Sequence, residues 1–256
     1  AGGSRGGALH RGRRPGPTTA RMDSVFGIVG DGFVLVAADR AALRQPLVFK
    51  HDEDKVVRLD DTKIVAAAGE NCDRVAFTEL IVRNIALDKF RSKLSRSCKA
   101  TAHYIRGELA TALRKAPMSV NLLLAGVDVP ATEASTDSKD SAEAGKAAPA
   151  PAGEPSLYWI DYMGTMAKVG FGAHGYCAYF TNGLLDRYWK AGMSEEEGKA
   201  LMGRCIGETR ARFMLNQPNF ICYMVTAAGV STVDIDVPVM PDVSVAPAPA
   251  APAAAA

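Results

Sequence analysis

From residue 25 the chain has apolar runs separated by turn residues, a pattern typical of buried strands. Residues 25–29 and 33–38 are two such runs on either side of Gly30-Asp31-Gly32, a sequence suited to a hairpin turn. Residues 56–59 and 64–68 repeat the pattern around two aspartates. The pattern therefore predicts a sheet of at least four strands up to this point.

From Asn71 onward the spacing of apolar residues becomes helical, with an apolar position at every third or fourth residue. The first predicted helix carries its apolar stripe at Phe77, Ile81 and Ile85. After residues 94–96, a second helix carries a stripe of four residues: Ala102, Ile105, Leu109 and Leu113. We expect these two helices to cover one face of the sheet.

Strands are predicted again at residues 120–125 and 157–160, and strand-like segments continue to about Ala173. A last hairpin is predicted from residues 220–225 and 230–233.

Two more helices are predicted between these strands, over residues 176–189 and 194–215. Ser194 is followed by three glutamates, which is typical of a helix N-terminus. The helix after Ser194 has a stripe of four residues: Met202, Ile206, Thr209 and Phe213. The order of strands and helix pairs suits an α+β fold, a four-layer αββα sandwich with two antiparallel sheets between helix pairs.

Three segments contain few or none of the bulky apolar side chains that a core needs, so we expect them to be disordered. They are an Arg-rich leader at 1–22, a low-complexity insertion at 131–155 and an Ala/Pro tail at 243–256. The remainder, 23–242, has the size of one domain with a surface insertion. A transit peptide is an alternative interpretation of the leader, but Met22 directly before the first strand favours an ordinary start site.

Composition argues against several classes of function. Lys and Arg number 30 and Asp and Glu number 28, and five of the arginines lie in the leader, so no nucleic-acid partner is indicated. The five cysteines form no C-x-x-C pair, which argues against a zinc site and favours a reducing compartment. No apolar run approaches membrane-spanning length. We expect no metal, cofactor, nucleic acid or membrane partner.

Four landmarks indicate a family. Asp39 ends the second strand, Lys55 opens the third, Gly69 ends the fourth and Leu185-Asp186-Arg187 lies in the third helix. Their identity and spacing resemble those of proteasome beta subunits over nearly all of 23–236, which implies the amino-terminal-nucleophile hydrolase fold.

The amino-acid sequences of four further runs are similar to those of the beta type-2 branch, at the beta-4 ring position. These runs are 121–126, 157–162, 173–176 and 212–216. The branch is a non-catalytic one, so the resemblance implies a subunit that builds the ring without cleaving peptides.

The resemblance also locates the nucleophile position. Active members begin their first strand with a Thr that is freed by self-cleavage after Gly, sixteen residues before the aspartate that matches Asp39. Counting back sixteen residues gives Asp23. A carboxylate with an ordinary pKa of about 3.9 is only an acceptor at neutral pH and a poor nucleophile toward an amide. Asp23, Asp39, Lys55 and Asp186 are thus expected to be site positions without a nucleophile, with Lys55 paired between the first two.

An active threonine-type peptidase, processed at an upstream Thr, is the main alternative. Gly16-Pro17-Thr18-Thr19 resembles the Gly-Thr-Thr start of active subunits, but Thr18 lies 21 residues before Asp39 and follows Pro instead of Gly. An alpha-ring subunit is a second alternative, and it would begin with an extra helix that the leader lacks.

Other polar residues are interpreted as structural. His174 has no metal-ligand partner three or four residues away. Asp186 and Arg187 are interpreted as an ion-paired helix position as readily as site support. The acids at 52–54 are expected to form a solvated loop.

The resemblance implies protein partners only. They are beta subunits in the same ring and in the opposite ring, together with an alpha ring, in cytoplasm and nucleus.

Overall fold

The computed structural model describes residues 22–44, 47–129, 153–214 and 217–238. The strands are β1 (Ser24–Val29), β2 (Phe33–Asp39), β3 (Ala42–Arg44), β4 (Leu47–Lys50), β5 (Val56–Asp60), β6 (Lys63–Gly69), β7 (Val120–Asp128), β8 (Glu154–Ile160), β9 (Met166–Val169), β10 (Phe171–Gly175), β11 (Phe220–Thr226) and β12 (Gly229–Thr232). The helices are α1 (Asn71–Ser92), α2 (Cys98–Leu113), α3 (Ala178–Tyr188) and α4 (Glu195–Arg212).

Two five-stranded antiparallel sheets form the centre of the domain. Their strand orders are β10-β1-β2-β11-β12 and β5-β6-β7-β8-β9. The facing surfaces of the sheets bury a shared layer of side chains that includes Val36, Ile64, Leu123 and Leu157. The predicted four-layer α+β sandwich is confirmed.

The helix pairs cover the two outer faces of this sandwich. Phe77 and Ile81 of α1 and Ile105 of α2 pack on the second sheet together with Leu122. On the other side, Leu185 of α3 and Met202 and Ile206 of α4 pack on β1 and β2. The predicted stripes are buried with two exceptions: Leu113 at the end of α2 is 37% exposed, and Phe213, just after the end of α4, is half-buried.

The helix ends follow the expected capping chemistry. Ser194 accepts a hydrogen bond from the backbone of Glu197, whose side chain bonds back to the Ser194 N–H to complete a capping box. At the start of α2, Ser97 accepts from the N–H of Ala100. The carboxylate of Asp128, at the end of β7, also accepts from the N–H of Cys98, at 2.8 and 2.9 Å.

The structure differs from the predictions in three places. The short hairpin β3–β4 was not predicted, because all four residues of β4 are exposed and show no inward–outward alternation. Strand β8 begins at Glu154, which pairs with Asp128, so the insertion predicted to extend to residue 155 ends before this strand. Helix α4 ends at Arg212, before the predicted end at 215.

Other predictions fall on parts of the chain outside the description. The leader up to residue 21, residues 130–152 of the insertion, residues 215–216 and the chain from 239 onward lie outside the described residues. Among the helices that are described, none is both long and apolar enough to cross a membrane.

Candidate functional site

Four strand ends meet at one edge of the sandwich. Strands β1 and β2 are antiparallel, so the start of β1, preceded by Asp23, lies beside the end of β2 at Asp39. Strands β5 and β6 are antiparallel too, so Lys55, just before β5, lies at the end where β6 reaches Gly69. The packing of the two sheets brings these two pairs of ends together.

Lys55 is the centre of this cluster, and its side chain is fully buried. Its Nζ donates to Asp23 Oδ1 at 2.5 Å and to Asp39 Oδ2 at 2.8 Å. The third ammonium donor bonds the backbone oxygen of Ala41 at 2.8 Å. All three donors of the ammonium therefore have partners, as a buried lysine requires.

Asp39 is held from several sides. Its Oδ1 accepts from the backbone N–H of Ser24 at 2.6 Å, and its Oδ2 accepts from that of Ala41 at 3.2 Å. Burial raises the pKa of Asp39 above its ordinary value, and the negative charge of Asp23 acts in the same direction, while Lys55 opposes both. Burial is the largest of these effects because the Asp39 side chain has no exposed surface.

Asp23 uses both of its carboxylate oxygens. While Oδ1 accepts from Lys55, Oδ2 accepts from the backbone N–H of Gly69 at 2.8 Å. The Asp23 backbone lies directly against Gly175, where a Cβ would stand 1.7 Å from the Asp23 carbonyl oxygen. Gly175 has φ of +86°, so both this close approach and the backbone conformation require glycine.

Gln217 is a buried site residue that the sequence did not reveal. Its Oε1 accepts from the Ser24 hydroxyl and its Nε2 donates to the Met22 carbonyl, both at 2.8 Å. Gln217 is only 1% exposed. The backbone on either side of Asp23 is therefore fixed by a residue 193 positions from Ser24, a distance at which no local motif signals the contact.

The cluster is a network of buried charges, in which the side chains of Lys55, Asp23 and Asp39 bind one another. Two carboxylates flank a single ammonium, and the Ser24 hydroxyl, next along the chain from Asp23, donates to Gln217. Removing either partner of such a pair would leave a buried charge without compensation. These buried ion pairs therefore connect the strand ends of the two sheets.

Asp186 is not part of this cluster. It is exposed on α3, and none of the hydrogen bonds that hold Lys55, Asp39 and Asp23 involves it. Within the described residues, neither Asp186 nor Arg187 forms a salt bridge, in contrast to the predicted ion-paired position. The Arg187 guanidinium lies 5.5 Å from the centre of the Tyr188 ring instead.

His174 is packed into the interior. Its ring stacks on Trp159 with centroids 4.7 Å apart, and its Nε2 lies 3.0 Å from the backbone oxygen of Leu122. No group of three or more potential metal-ligating side chains occurs in the described part of the chain.

The acidic loop at 52–54 is more tightly held than predicted. Glu53 accepts from Arg74 at 2.9 Å, and Asp54 accepts from the Tyr223 hydroxyl at 2.8 Å. The hydrogen bond from Arg74 is the main cause of a lowered pKa of Glu53. The loop therefore ties β4 and β5 to α1 and β11.

Comparison with known proteins identifies the family to which the chain is similar. A family model described as proteasome subunit matches residues 21–134 and 147–225. Proteasome subunit beta type-2-B of Arabidopsis thaliana is 44% identical over 208 residues, which cover 81% of this chain and 94% of that protein. Proteasome subunit beta type-2 of Trypanosoma brucei brucei is 39% identical over 214 residues, or 82% and 97% of the two chains. The protein of the same name from Dictyostelium discoideum is 36% identical over 217 residues, or 85% and 100%.

Proposed function

The chain belongs to the proteasome subunit family as a beta-type subunit that assembles with other proteasome subunits, and on this premise we propose that it is a non-catalytic member. It contributes to protein degradation by completing the ring and positioning neighbouring subunits, which carry out the cleavage. The observation that carries the proposal is the side chain of Asp23, which binds Lys55 and the Gly69 N–H at the head of β1.

The chemistry of this position supports inactivity. A threonine-type peptidase needs a hydroxyl nucleophile activated by its own free amine. Asp23 offers a carboxylate, and its backbone continues into Met22, whose carbonyl is bound by buried Gln217. Lys55 is engaged by two carboxylates and a backbone oxygen, so it does not activate a hydroxyl.

The proposal includes an arrangement and a location. We place the subunit between two beta subunits of one ring, with an alpha ring on one side and a second beta ring on the other, in cytoplasm and nucleus. Exposed aromatic and apolar side chains support protein contacts: Tyr179 is 82% exposed on α3 and Phe49 is 67% exposed on β4.

Active-site labelling of the assembled particle tests inactivity. The purified particle is treated with an electrophilic probe for threonine peptidases, and the labelled subunits are separated and identified by mass spectrometry. Catalytic subunits of the same particle provide the positive control. We expect label on those subunits and none on this chain. Labelling of this chain that disappears in the Thr18→Ala variant would establish the alternative, an active peptidase processed upstream.

A further inference from the structure

The buried cluster brings the groups of an amide-forming reaction into contact. We propose that Lys55 and Asp23 become joined by an intramolecular isopeptide bond, with Asp39 as the proton carrier. The bond would link Nζ of Lys55 to Cγ of Asp23 and release one water molecule.

The two reacting side chains are held together before any reaction. Lys55 Nζ and Asp23 Oδ1 are 2.5 Å apart, and each group lies next to a strand end that is fixed by the sheets. The Lys55 ammonium is further held by the backbone oxygen of Ala41. Such fixed proximity turns a bimolecular condensation into an intramolecular one, which raises the effective concentration by many orders of magnitude.

Gly69 supplies the stabilising donor that the intermediate needs. Attack of an amine on Cγ places negative charge on one carboxyl oxygen of Asp23. Oδ2 of Asp23 already accepts the N–H of Gly69 at 2.8 Å, while the other oxygen faces the amine. A backbone N–H fixed on a developing oxyanion is one of the largest contributions that a protein makes to such reactions.

Asp39 is placed to carry the proton. Its Oδ2 contacts the same Nζ at 2.8 Å, and its position is set by the N–H groups of Ser24 and Ala41. With all three side chains ionised, the buried cluster has a net charge of −1, so uptake of one proton makes it neutral. Burial raises the pKa of Asp39 and so favours the proton there.

The step balances without any further reactant. A proton moves from the Lys55 ammonium to the Asp23 carboxylate, which gives an amine and a carboxylic acid. The amine attacks Cγ, protonated Asp39 donates its proton to the departing Oδ1 hydroxyl, and Asp39 then takes the proton that the nitrogen loses. The N–C bond forms, the C–O bond breaks, water leaves and Asp39 ends in the protonation state in which it began.

Burial favours the product as well as the reaction. An ion pair without contact to water carries a desolvation cost that an amide does not carry. Lys55 and Asp39 have no exposed surface and the Asp23 side chain is only 8% exposed, so this cost applies to the unreacted ion pair. The inference uses the same residues as the proposed inactivity but does not rest on it, because labelling by a probe and linkage between side chains are separate readouts.

Peptide mapping of the chain from the assembled particle tests the proposal. Trypsin releases Asp23 in peptide 22–40. It releases Lys55 in peptide 51–58 when the lysine amine is blocked, and cuts this peptide after Lys55 when the amine is free. We expect the two peptides to be recovered joined, lighter than their sum by one water and with Lys55 uncut. Recovery of the separate peptides, with cleavage after Lys55, overturns the proposal whether or not any variant folds.

Two variants distinguish the isopeptide bond from other losses of water. Lys55→Arg keeps the charge and removes the reactive amine, so the joined peptides and the mass loss should both disappear. A mass loss that stays on peptide 22–40 alone would indicate a cyclised Asp23 backbone and would overturn the proposal. Asp39→Asn keeps the shape and should slow the linkage about a hundredfold or more. Linkage at the wild-type rate in this variant would overturn the role of Asp39.

Discussion

Lys55 and Asp39 form an ion pair in which neither side chain has any exposed surface, with 2.8 Å between Nζ and Oδ2. The pair links the end of β2 in one sheet to the start of β5 in the other, so it connects the two halves of the sandwich at the head of β1. Replacement of Lys55 therefore affects stability and activity differently.

Replacement of Lys55 by Ala should lower incorporation of the subunit and leave the peptidase activities of each assembled particle near normal. Loss of one partner from a buried ion pair costs about 3–5 kcal/mol, whereas the proposed non-catalytic role predicts no loss of peptide cleavage. The measurements are the amount of variant chain in purified particles and the hydrolysis of each model peptide per particle.

The matched control is Lys168→Ala, which breaks a salt bridge to Glu154 in which the lysine side chain is 49% exposed. An exposed pair contributes about 0–1 kcal/mol, so incorporation of this variant should be close to wild type. Loss of one peptidase activity in fully assembled Lys55→Ala particles would contradict the non-catalytic assignment.

Much of the fold and of the site could be predicted from the sequence, because the site residues lie at or next to the ends of strands that the apolar pattern predicts. Residues 25–29 and 33–38 predicted a hairpin, and in the structure its strand ends place Asp39 beside Asp23. That Lys55 joins them was an expectation from the resemblance to proteasome beta subunits. Relatives named proteasome subunit beta type-2, at 36–44% identity, confirm the branch that the four sequence runs indicated.

Other features depend on contacts between distant parts of the chain. Gln217 reaches Ser24 across nearly the whole sequence, and its identity alone gives no sign of that contact. Strand β4 has no buried face to produce a periodic pattern. Asp186 matched a family landmark in sequence, yet it lies exposed outside the cluster.

Thiol labelling of the native particle should modify Cys72 at most. Burial raises the pKa values of Cys98, Cys177, Cys205 and Cys222 to about 12, so each remains a protonated and inaccessible thiol at neutral pH. Cys72 is the exposed cysteine of the chain. Iodoacetamide labelling followed by peptide mapping measures this, and the Cys72→Ser variant should remain unlabelled until denaturant is added. Modification of any other cysteine under native conditions would contradict the burial of these four thiols.

Acid should loosen the region around Asp60 before it loosens the rest of the second sheet. The Asp60 pKa is lowered to about 2: burial opposes ionisation, but hydrogen bonds from Lys89, Ser95 and the backbone of Asp61 outweigh it. A lowered pKa in the folded state means that this stabilisation is complete above the ordinary value of 3.8 and is lost as pH falls from there toward 2.

Hydrogen exchange of the assembled particle measures the effect at the β5–β6 turn and the end of α1. The variant Asp60→Asn should exchange faster than wild type at pH 7, and the difference should shrink on acidification. Asp61→Asn is the control, because its side chain is 91% exposed, and it should change exchange little. Equal exchange in wild type and Asp60→Asn at neutral pH would contradict the prediction.

Shortening the insertion should preserve assembly. Strands β7 and β8 are paired out to Asp128 and Glu154, so the hairpin is closed before the chain reaches residues 131–152. That segment has no bulky apolar side chain to contribute to a core. A chain with 131–152 replaced by a short Asn-Gly turn should enter particles at the wild-type level, measured by mass spectrometry of purified particles.

A longer deletion provides the control for that result. Removal of 131–157 also removes Leu157, a fully buried residue of the layer between the sheets, and should abolish incorporation. Failure of the shorter deletion would show that the insertion contacts a partner.

Expressed without its partners, the chain should be oligomeric or aggregated and show no threonine-dependent peptidase activity. Large apolar side chains lie exposed on several elements: Phe49 on β4 at 67%, Phe90 on α1 at 72% and Tyr179 on α3 at 82%. Exposed aromatic side chains are typical anchors of protein interfaces, so we expect these residues to be covered in the assembled particle. Light scattering at micromolar concentration measures the oligomeric state of the chain.

The triple variant Phe49→Ser, Phe90→Ser and Tyr179→Ser should shift the isolated chain toward monomer and reduce its entry into particles. We expect both effects because the same side chains would serve self-association and contact with neighbouring subunits. A wild-type chain that is monomeric under these conditions, or peptide hydrolysis that Thr18→Ala abolishes, would contradict this view of the subunit.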